Sequence, residues 1–300
     1  MWWFRALQLV VLVAAGYYLA TVAAPQWPAI RDRELTWNAG FLALSAVLVL
    51  ANLALLLAAW TASLRWCAVQ VRYLDAARIW FTANLARFIP GTVWQFASLA
   101  AMSMRYRVSA VASTATVLFE QIALLITGLA VLGVLTPSVL HAAWWQSALV
   151  VGAALGAAGL LVPRPGGALG LWIERRLPGV RVLWSGLTPA RLITFMVVLV
   201  VPWLVYGAAF RLLAAGLLGP VPGSWGFWIA AFTGSYLAGV IAVFAPAGLL
   251  VREAALISVL SPVVGSGDAV ILAAASRLWL TALEVLGAGL VLALPAGEVA

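Results

Sequence analysis

Six ionisable side chains fall inside or beside apolar stretches of this chain: Arg87, Glu120, Arg252, Glu253, Arg277 and Glu284. Such a group costs about 2.5 to 3.5 kcal/mol to insert at the centre of a membrane span and by default marks a functional site or an internal ion pair. Three are acidic and three basic, so the set can neutralise itself, and pairs that only hold a helical bundle shut are one reading of it. Arg277 and Glu284 stand two turns apart along one helix face. Three of the six, Arg87, Arg252 and Glu253, cluster at two Pro/Gly interruptions, where a different chemistry opens. A helix that restarts inside the membrane presents N–H groups without helical partners, and an arginine beside it makes a site suited to phosphate or carboxylate.

The interruptions are the elements that must position these groups. In the first, a short apolar helix ends at Arg87, Pro90-Gly91 breaks it, and a second short helix runs from Thr92 to Met104. A long apolar span with Glu120 in its middle follows. In the second, Pro246-Ala247-Gly248 breaks a helix, a short helix carries Arg252 and Glu253, and a long span carries Arg277 and Glu284. A spanning helix needs about 20 apolar residues, and neither half of the first pair has them. Shifting the first copy by 157 positions (248 − 91) lays Gly91 on Gly248, Gln95 on Arg252, Ala97 on Ala254, Leu99 on Leu256 and Glu120 on Arg277. Paired Gly/Pro-interrupted apolar segments in two halves point to a transporter binding site. The candidate substrate-binding residues are therefore Arg87, Pro90, Gly91, Gln95, Glu120, Gly248, Arg252, Glu253, Arg277 and Glu284. The expected ligand is the headgroup of an anionic amphiphile, its tails left in lipid. The acidic residues hold the arginines while the site is empty, or meet a cationic headgroup. An aqueous cavity would need more Ser, Thr, Asn and Gln than these spans contain.

Composition sets the frame. The 300 residues are 65% hydrophobic and 9% charged, with mean hydropathy +1.10, which fits a polytopic membrane protein and no soluble domain. All basic residues are Arg, and they lie in short loops between apolar spans, so the net charge of +8 points to lipid headgroups and topology, and not to nucleic acid. The single Cys67 excludes an intrachain disulfide and reads as a small apolar filler. No Asp-rich motif, His pair or P-loop is present, so no cofactor or metal is expected. His141 beside Trp144 and Trp145 receives no role, and the tryptophans read as an interface anchor.

Read in order, full spans are expected over 6–24, 40–60, 109–135, 145–162, 190–210 (kinked at Pro202) and 269–294, with the broken pairs at 81–104 and 226–261. Pro25 argues against cleavage after the first span. A short amphipathic helix is expected over 169–177. Gly152-x-x-x-Gly156 has the spacing that lets helices approach closely. The expected fold is all-α and polytopic, about six full spans plus two broken, re-entrant helical hairpins in a single transmembrane domain. Repeat one covers about 37–162 and repeat two about 189–295, with opposite orientations. The arginines put Arg5, residues 61–107 and residues 163–191 inside, and loops 136–143, 212–224 and 262–268 outside. A complete crossing by 226–245 would move the C-terminus to the other side.

The stretches Asn84-x-x-Arg87-x-x-Pro90-Gly91 with Glu120, and Pro246-Ala-Gly248-Leu-Leu-Val-Arg252-Glu253-Ala-Ala-Leu256 with Arg277 and Glu284, resemble the lysylphosphatidylglycerol synthase transmembrane-region family. This is the flippase-like membrane module of multiple-peptide-resistance proteins, which also occurs alone in bacteria and archaea. The resemblance covers nearly the whole chain. It departs from the family at Ala247, at Leu249-Leu250 where a Gly-containing pair is usual, and at Gln121 where Arg is common. The soluble aminoacyl-transferase domain of fused members is absent. The resemblance therefore implies lipid translocation in the cytoplasmic membrane of a prokaryote, with the N-terminus inside, and no lysyl transfer. The cargo would be an anionic phospholipid, an aminoacylated lipid or an isoprenoid-phosphate-linked lipid. Two other readings stand beside it: a membrane-embedded transferase with Glu253 or Glu120 as base, and a non-transporting scaffold for a lipid synthase. Membrane lipids are the expected partners, with a homodimer and a separate lipid-modifying enzyme left open. Energy coupling is open too, with Glu120, Glu253 or Glu284 as candidate proton carriers.

Overall fold

The structure, a computed structural model, describes residues 31–86, 93–140, 144–160, 178–242, 248 and 250–295, with Tyr17, Thr21, Pro25 and Arg175 besides. Arg87, Pro90, Gly91, His141, Pro246, Ala247 and nearly all of the expected helices 6–24 and 169–177 lie outside the described residues.

Among the described residues every regular element is helical: α1 (Ala39–Trp66), α2 (Tyr73–Ala86), α3 (Val93–Arg105), α4 (Ala110–Leu140), α5 (Trp144–Leu160), α6 (Pro178–Gly186), α7 (Pro189–Val198), α8 (Val201–Leu218), α9 (Trp225–Ile241), α10 (Val251–Val264) and α11 (Ser266–Ala293). Four stretches are long and apolar enough to cross a membrane: Ala39–Trp66, Ala110–Leu135, Pro189–Leu218 and Ser266–Ala293. Their outward side chains are apolar, as at Val134, Leu278 and Leu290. The span expected over 145–162 is the 17-residue α5.

The element order repeats. A long helix, two short helices packed on each other and a second long helix occur as α1, α2–α3, α4 and again as α7–α8, α9–α10, α11. The short helices have 14, 13, 17 and 14 residues, against about 20 for an ordinary span, with α9 at the lower end of the spanning range. Four of the helices begin on a side-chain cap, which satisfies one otherwise idle N–H. Asn38 Oδ1 accepts from Phe41 N, Ser109 Oγ from Ala112 N, Thr188 Oγ1 from Arg191 N and Ser224 Oγ from Phe227 N. The start of α10 at Leu250 has no such bond.

The chain forms two compact units: Met1–Leu50, Val131–Ser147 and Trp203–Leu283; and Ala51–Ala130, Ala148–Pro202 and Glu284–Ala300. In the first unit α8, α9, α10 and α11 pack through Phe210, Leu213, Trp228, Phe232, Leu256, Leu260 and Leu272. At one end of this unit Arg33 pairs with Asp268 at 3.0 Å, Thr36 and Asn38 backbone N–H groups donate to Leu217 and Gly216 carbonyls, and Arg211 stands 4.1 Å over the Trp225 ring. The segments around 33, 217, 225 and 268 thus gather there, which brings the outer ends of α9 and of the α10–α11 turn to the same end. In the second unit Trp66 meets Phe119 and Phe195 edge-on, and Trp60 Nε1 donates to Thr116 Oγ1 at 3.1 Å. Arg78, nearly fully buried, donates to the Leu294 and Pro295 carbonyls and pairs with Asp75. Burial pushes the Cys67 thiol up to about 11, so at neutral pH it is a protonated apolar filler.

The kink expected at Pro202 is a break at Leu199-Val200, between α7 and α8. Proline has no N–H to donate back into the helix and crowds the preceding turn. The carbonyls beside the break receive side-chain donors: Thr127 Oγ1 to Leu199 O at 3.2 Å and Asn52 Nδ2 to Pro202 O at 3.4 Å. The Gly152-x-x-x-Gly156 spacing meets a different outcome. A Cβ at either glycine has no atom within 4 Å among the described residues, whereas one at Gly186 would run into the Trp66 backbone and one at Gly207 into the Ile229 backbone. Gly207→Ala is therefore expected to lower stability by about 1–3 kcal/mol through overpacking, and Gly156→Ala to leave it unchanged or slightly raised. Thermal unfolding in detergent measures both.

Candidate functional site

The ten candidate residues fall into two described groups. In the first unit, the break after α9 ends against α9 itself. Gly248 has φ +64, and a Cβ on it would stand 2.8 Å from the Gly239 backbone, so glycine is needed there for both conformation and space. Leu250 follows with φ +69, an unusual conformation for a branched side chain. Two left-handed positions in three residues aim the chain into α10, which starts with Val251 and Arg252.

Arg252 is 8% exposed. Its guanidinium lies 4.9 Å from the Phe232 ring centre and 5.5 Å from that of Tyr236, so two aromatic faces of α9 hold the charge in place. Phe232, Tyr236 and Gly239 stand at intervals of four and three, one face of the helix. Beside Arg252, Glu253 Oε1 accepts from Arg277 Nη1 of α11 at 3.3 Å. The other carboxylate oxygen of Glu253 is buried with no hydrogen-bond partner among the described residues. The result is two guanidinium groups, one carboxylate and an uncapped helix start in one apolar neighbourhood. Cationic charge and idle N–H groups together favour a polyoxygen anion.

In the second unit, the corresponding short helix α3 carries Gln95, whose Nε2 donates to Asn84 Oδ1 of α2 at 3.3 Å. Both line a cleft of about 400 Å³, its open mouth included, with Trp80, Leu99, Glu120 and Gln121 among the walls. Glu120 is 2% exposed, and its Oε1 has no hydrogen-bond partner among the described residues. Matched by the 157-residue shift, Leu99 and Leu256 are each 1% exposed.

The structure thus brings Gly248, Arg252, Glu253 and Arg277 together in one unit, and Gln95 and Glu120 together in the other. Glu284 is half-buried near the end of α11 and belongs to the second unit. Arg87, Pro90 and Gly91 lie outside the described residues. Sequence reasoning gave no site role to Asn84, nor to Phe232 and Tyr236, although the helical spacing of the two rings to Gly239 was there to be read. The span expected over 190–210 leaves Arg211 past its end, in the loop to Trp225, whereas α8 runs on to Leu218 and carries it within the helix. The signal was the apolar run Leu212–Leu218, which continues the helical segment past the charge.

No protein-family model matches this chain, and no curated protein matches it. The resemblance described above stands on its motif residues.

Gly248→Ala is expected to cost about 1–3 kcal/mol, from positive φ and collision with Gly239 combined, read by thermal unfolding. Glu253→Gln and Arg277→Gln are each expected to destabilise. The double variant should lose less than their sum by about 0.5–3 kcal/mol, as contacting residues do, and a double-mutant cycle measures this directly.

Proposed function

We propose that this chain is a lipid-translocating membrane protein of the lysylphosphatidylglycerol synthase transmembrane-region kind. Its cargo on this reading is an anionic phospholipid, an aminoacylated lipid or an isoprenoid-phosphate-linked lipid, in the cytoplasmic membrane of a prokaryote. The observation that carries it is Arg252: a buried arginine at the uncapped start of a short helix inside an apolar chain, with Arg277 beside its neighbour Glu253. A guanidinium within an apolar chain marks a functional site by default, and its planar set of donors suits a phosphate. The lipid phosphate would sit against Arg252 and the α10 N–H groups. Glu253 would hold Arg277 while the site is empty.

The repeated element order and the matched burial of Leu99 and Leu256 support the reading as two repeats. The gathering of the segments around 33, 217, 225 and 268 at one end of the first unit supports a second hairpin that enters and leaves on one side. In an inverted-repeat transporter, interrupted helices of this kind hold the cargo at mid-depth. The apolar exterior lets acyl or isoprenoid tails stay in lipid while the headgroup crosses.

The test is reconstitution in liposomes with headgroup-labelled lipids and a membrane-impermeant reductant. Wild type should bleach beyond the outer-leaflet half for anionic lipids. Hydrogen bonds to charged groups contribute about 1.5–3 kcal/mol. Arg252→Ala and Arg277→Ala should therefore slow flipping by roughly ten- to a hundredfold, since about 1.4 kcal/mol is tenfold. Bleaching that stops at half for phospholipids, aminoacylated lipids and isoprenoid phosphates alike would sink the proposal.

A further inference from the structure

The site above explains how an anion is held and leaves unused the cleft of the second unit. The cleft is built from four helices: Leu56 of α1; Trp80, Ala83 and Asn84 of α2; Gln95 and Leu99 of α3; and Val117, Glu120, Gln121 and Leu124 of α4. Of these, Glu120 alone ionises. The nearest charges on the same described elements are committed or distant. On α2, Arg78 is held by Asp75 and by the Leu294 and Pro295 carbonyls. On α1 and α3, Arg65 and Arg105 sit in the last turns. On α4 there is no other charged residue. Arg87 belongs to the segment after α2 and is outside the described residues.

A carboxylate placed there is removed from water and has one oxygen with no described hydrogen-bond partner. It is the one group lining the cleft that can take up and release a proton. The cleft is open at its mouth and has room for water-sized molecules. The Asn84 and Gln95 carboxamides give such water donors and acceptors. These are the parts of a proton-loading site: one buried acid, two carboxamides beside it and a cleft with an open mouth. Glu253 is the contrasting case, because Arg277 pairs with it at 3.3 Å.

We propose that Glu120 carries a proton that loads and unloads through this cleft and couples translocation to the proton gradient. The coupling rests on the translocation reading; the proton-carrying role does not. In the unloading step the Glu120 O–H bond breaks, the proton passes to water in the cleft, and the electron pair stays on the carboxylate. Loading reverses it.

Two measurements separate the claims. Infrared difference spectra of the reconstituted protein, taken across a pH series without labelled lipid, should show the carbonyl stretch of a neutral carboxylic acid that disappears as pH rises. It should be absent in Glu120→Gln and shifted in Glu120→Asp, which keeps the acid. A spectrum with no band sensitive to either change, at any pH, overturns the proposal. Flipping is then followed with and without an imposed pH gradient. Wild type should change rate severalfold with the gradient, and Glu120→Gln should lose that response while keeping its helical circular dichroism. A gradient response that persists in Glu120→Gln overturns the coupling. A Glu120 band in a protein that flips nothing upholds the proton site and removes the translocation reading instead.

Discussion

Hydrocarbon offers a peptide group nothing to bond with, so a helix can be interrupted in a chain this apolar only where other groups close the gap. Both described interruptions obey that constraint, in different ways. At Leu199-Val200, side chains reach in: Thr127 and Asn52 donate to the carbonyls on either side of the break. At Gly248, backbone lies against backbone, with Gly239 of α9 touching the turn that leads into α10. The second arrangement leaves the start of α10 without a cap, whereas four other helices begin on Asn, Ser or Thr. What would elsewhere be a defect is here followed directly by Arg252. Geometry set by two glycines thus decides where the charge stands.

That charge could not stand alone. Two aromatic faces cover Arg252, while Glu253 and Arg277 form a partly buried pair. Such a pair recovers in Coulomb attraction roughly what it loses in desolvation, so it contributes little net stability. Its effect is positional: it fixes Arg277 of α11 against α10 and keeps a second cation beside the uncapped helix start. The reading in which these residues only hold helices together accounts for the pair. The position of Arg252, directly after the uncapped start of α10, is what the anion-binding reading adds to it.

Much of the fold was legible because membrane helices announce themselves by length and apolarity. The four long apolar helices and the break before Pro202 were readable from a proline or a run of Leu, Val and Ala, while the break at Pro90-Gly91 and the span expected over 6–24 lie outside the described residues. Helix ends were less so. Arg211 looked like a loop residue, yet its guanidinium lies over Trp225 and its neighbours carry the helix on to Leu218. The Gly152/Gly156 spacing looked like a close helix contact, yet the tight approaches fall at isolated glycines, Gly186, Gly207 and Gly248. Their partners, Trp66, Ile229 and Gly239, lie on other helices, and a spacing rule along one helix does not point to them. For the site, residue type and the breaks picked out Arg252, Glu253, Arg277 and Glu120. The rings under Arg252 and the amide pair Asn84–Gln95 depend on tertiary contacts, and a pattern along one helix only hints at them.

On the repeat reading, matched positions have kept their packing and diverged in their charge. Leu99 and Leu256 are both buried at the same place in their short helices, as packing positions must be if the hairpin is to stay closed. The polar positions differ: Gln95 answers Arg252, and Glu120 answers Arg277. A physical reason follows from the energetics of buried charge. Two copies of an arginine-rich break would place four guanidinium groups in apolar surroundings, each needing an anion or a carboxylate of its own. One basic copy and one acidic copy lower that burden. They also give the two halves unlike tasks, since a guanidinium is charged at any accessible pH, whereas a desolvated carboxyl can be neutral or charged. The basic half can then only hold an anion, and the acidic half can change its state while the geometry around it stays the same.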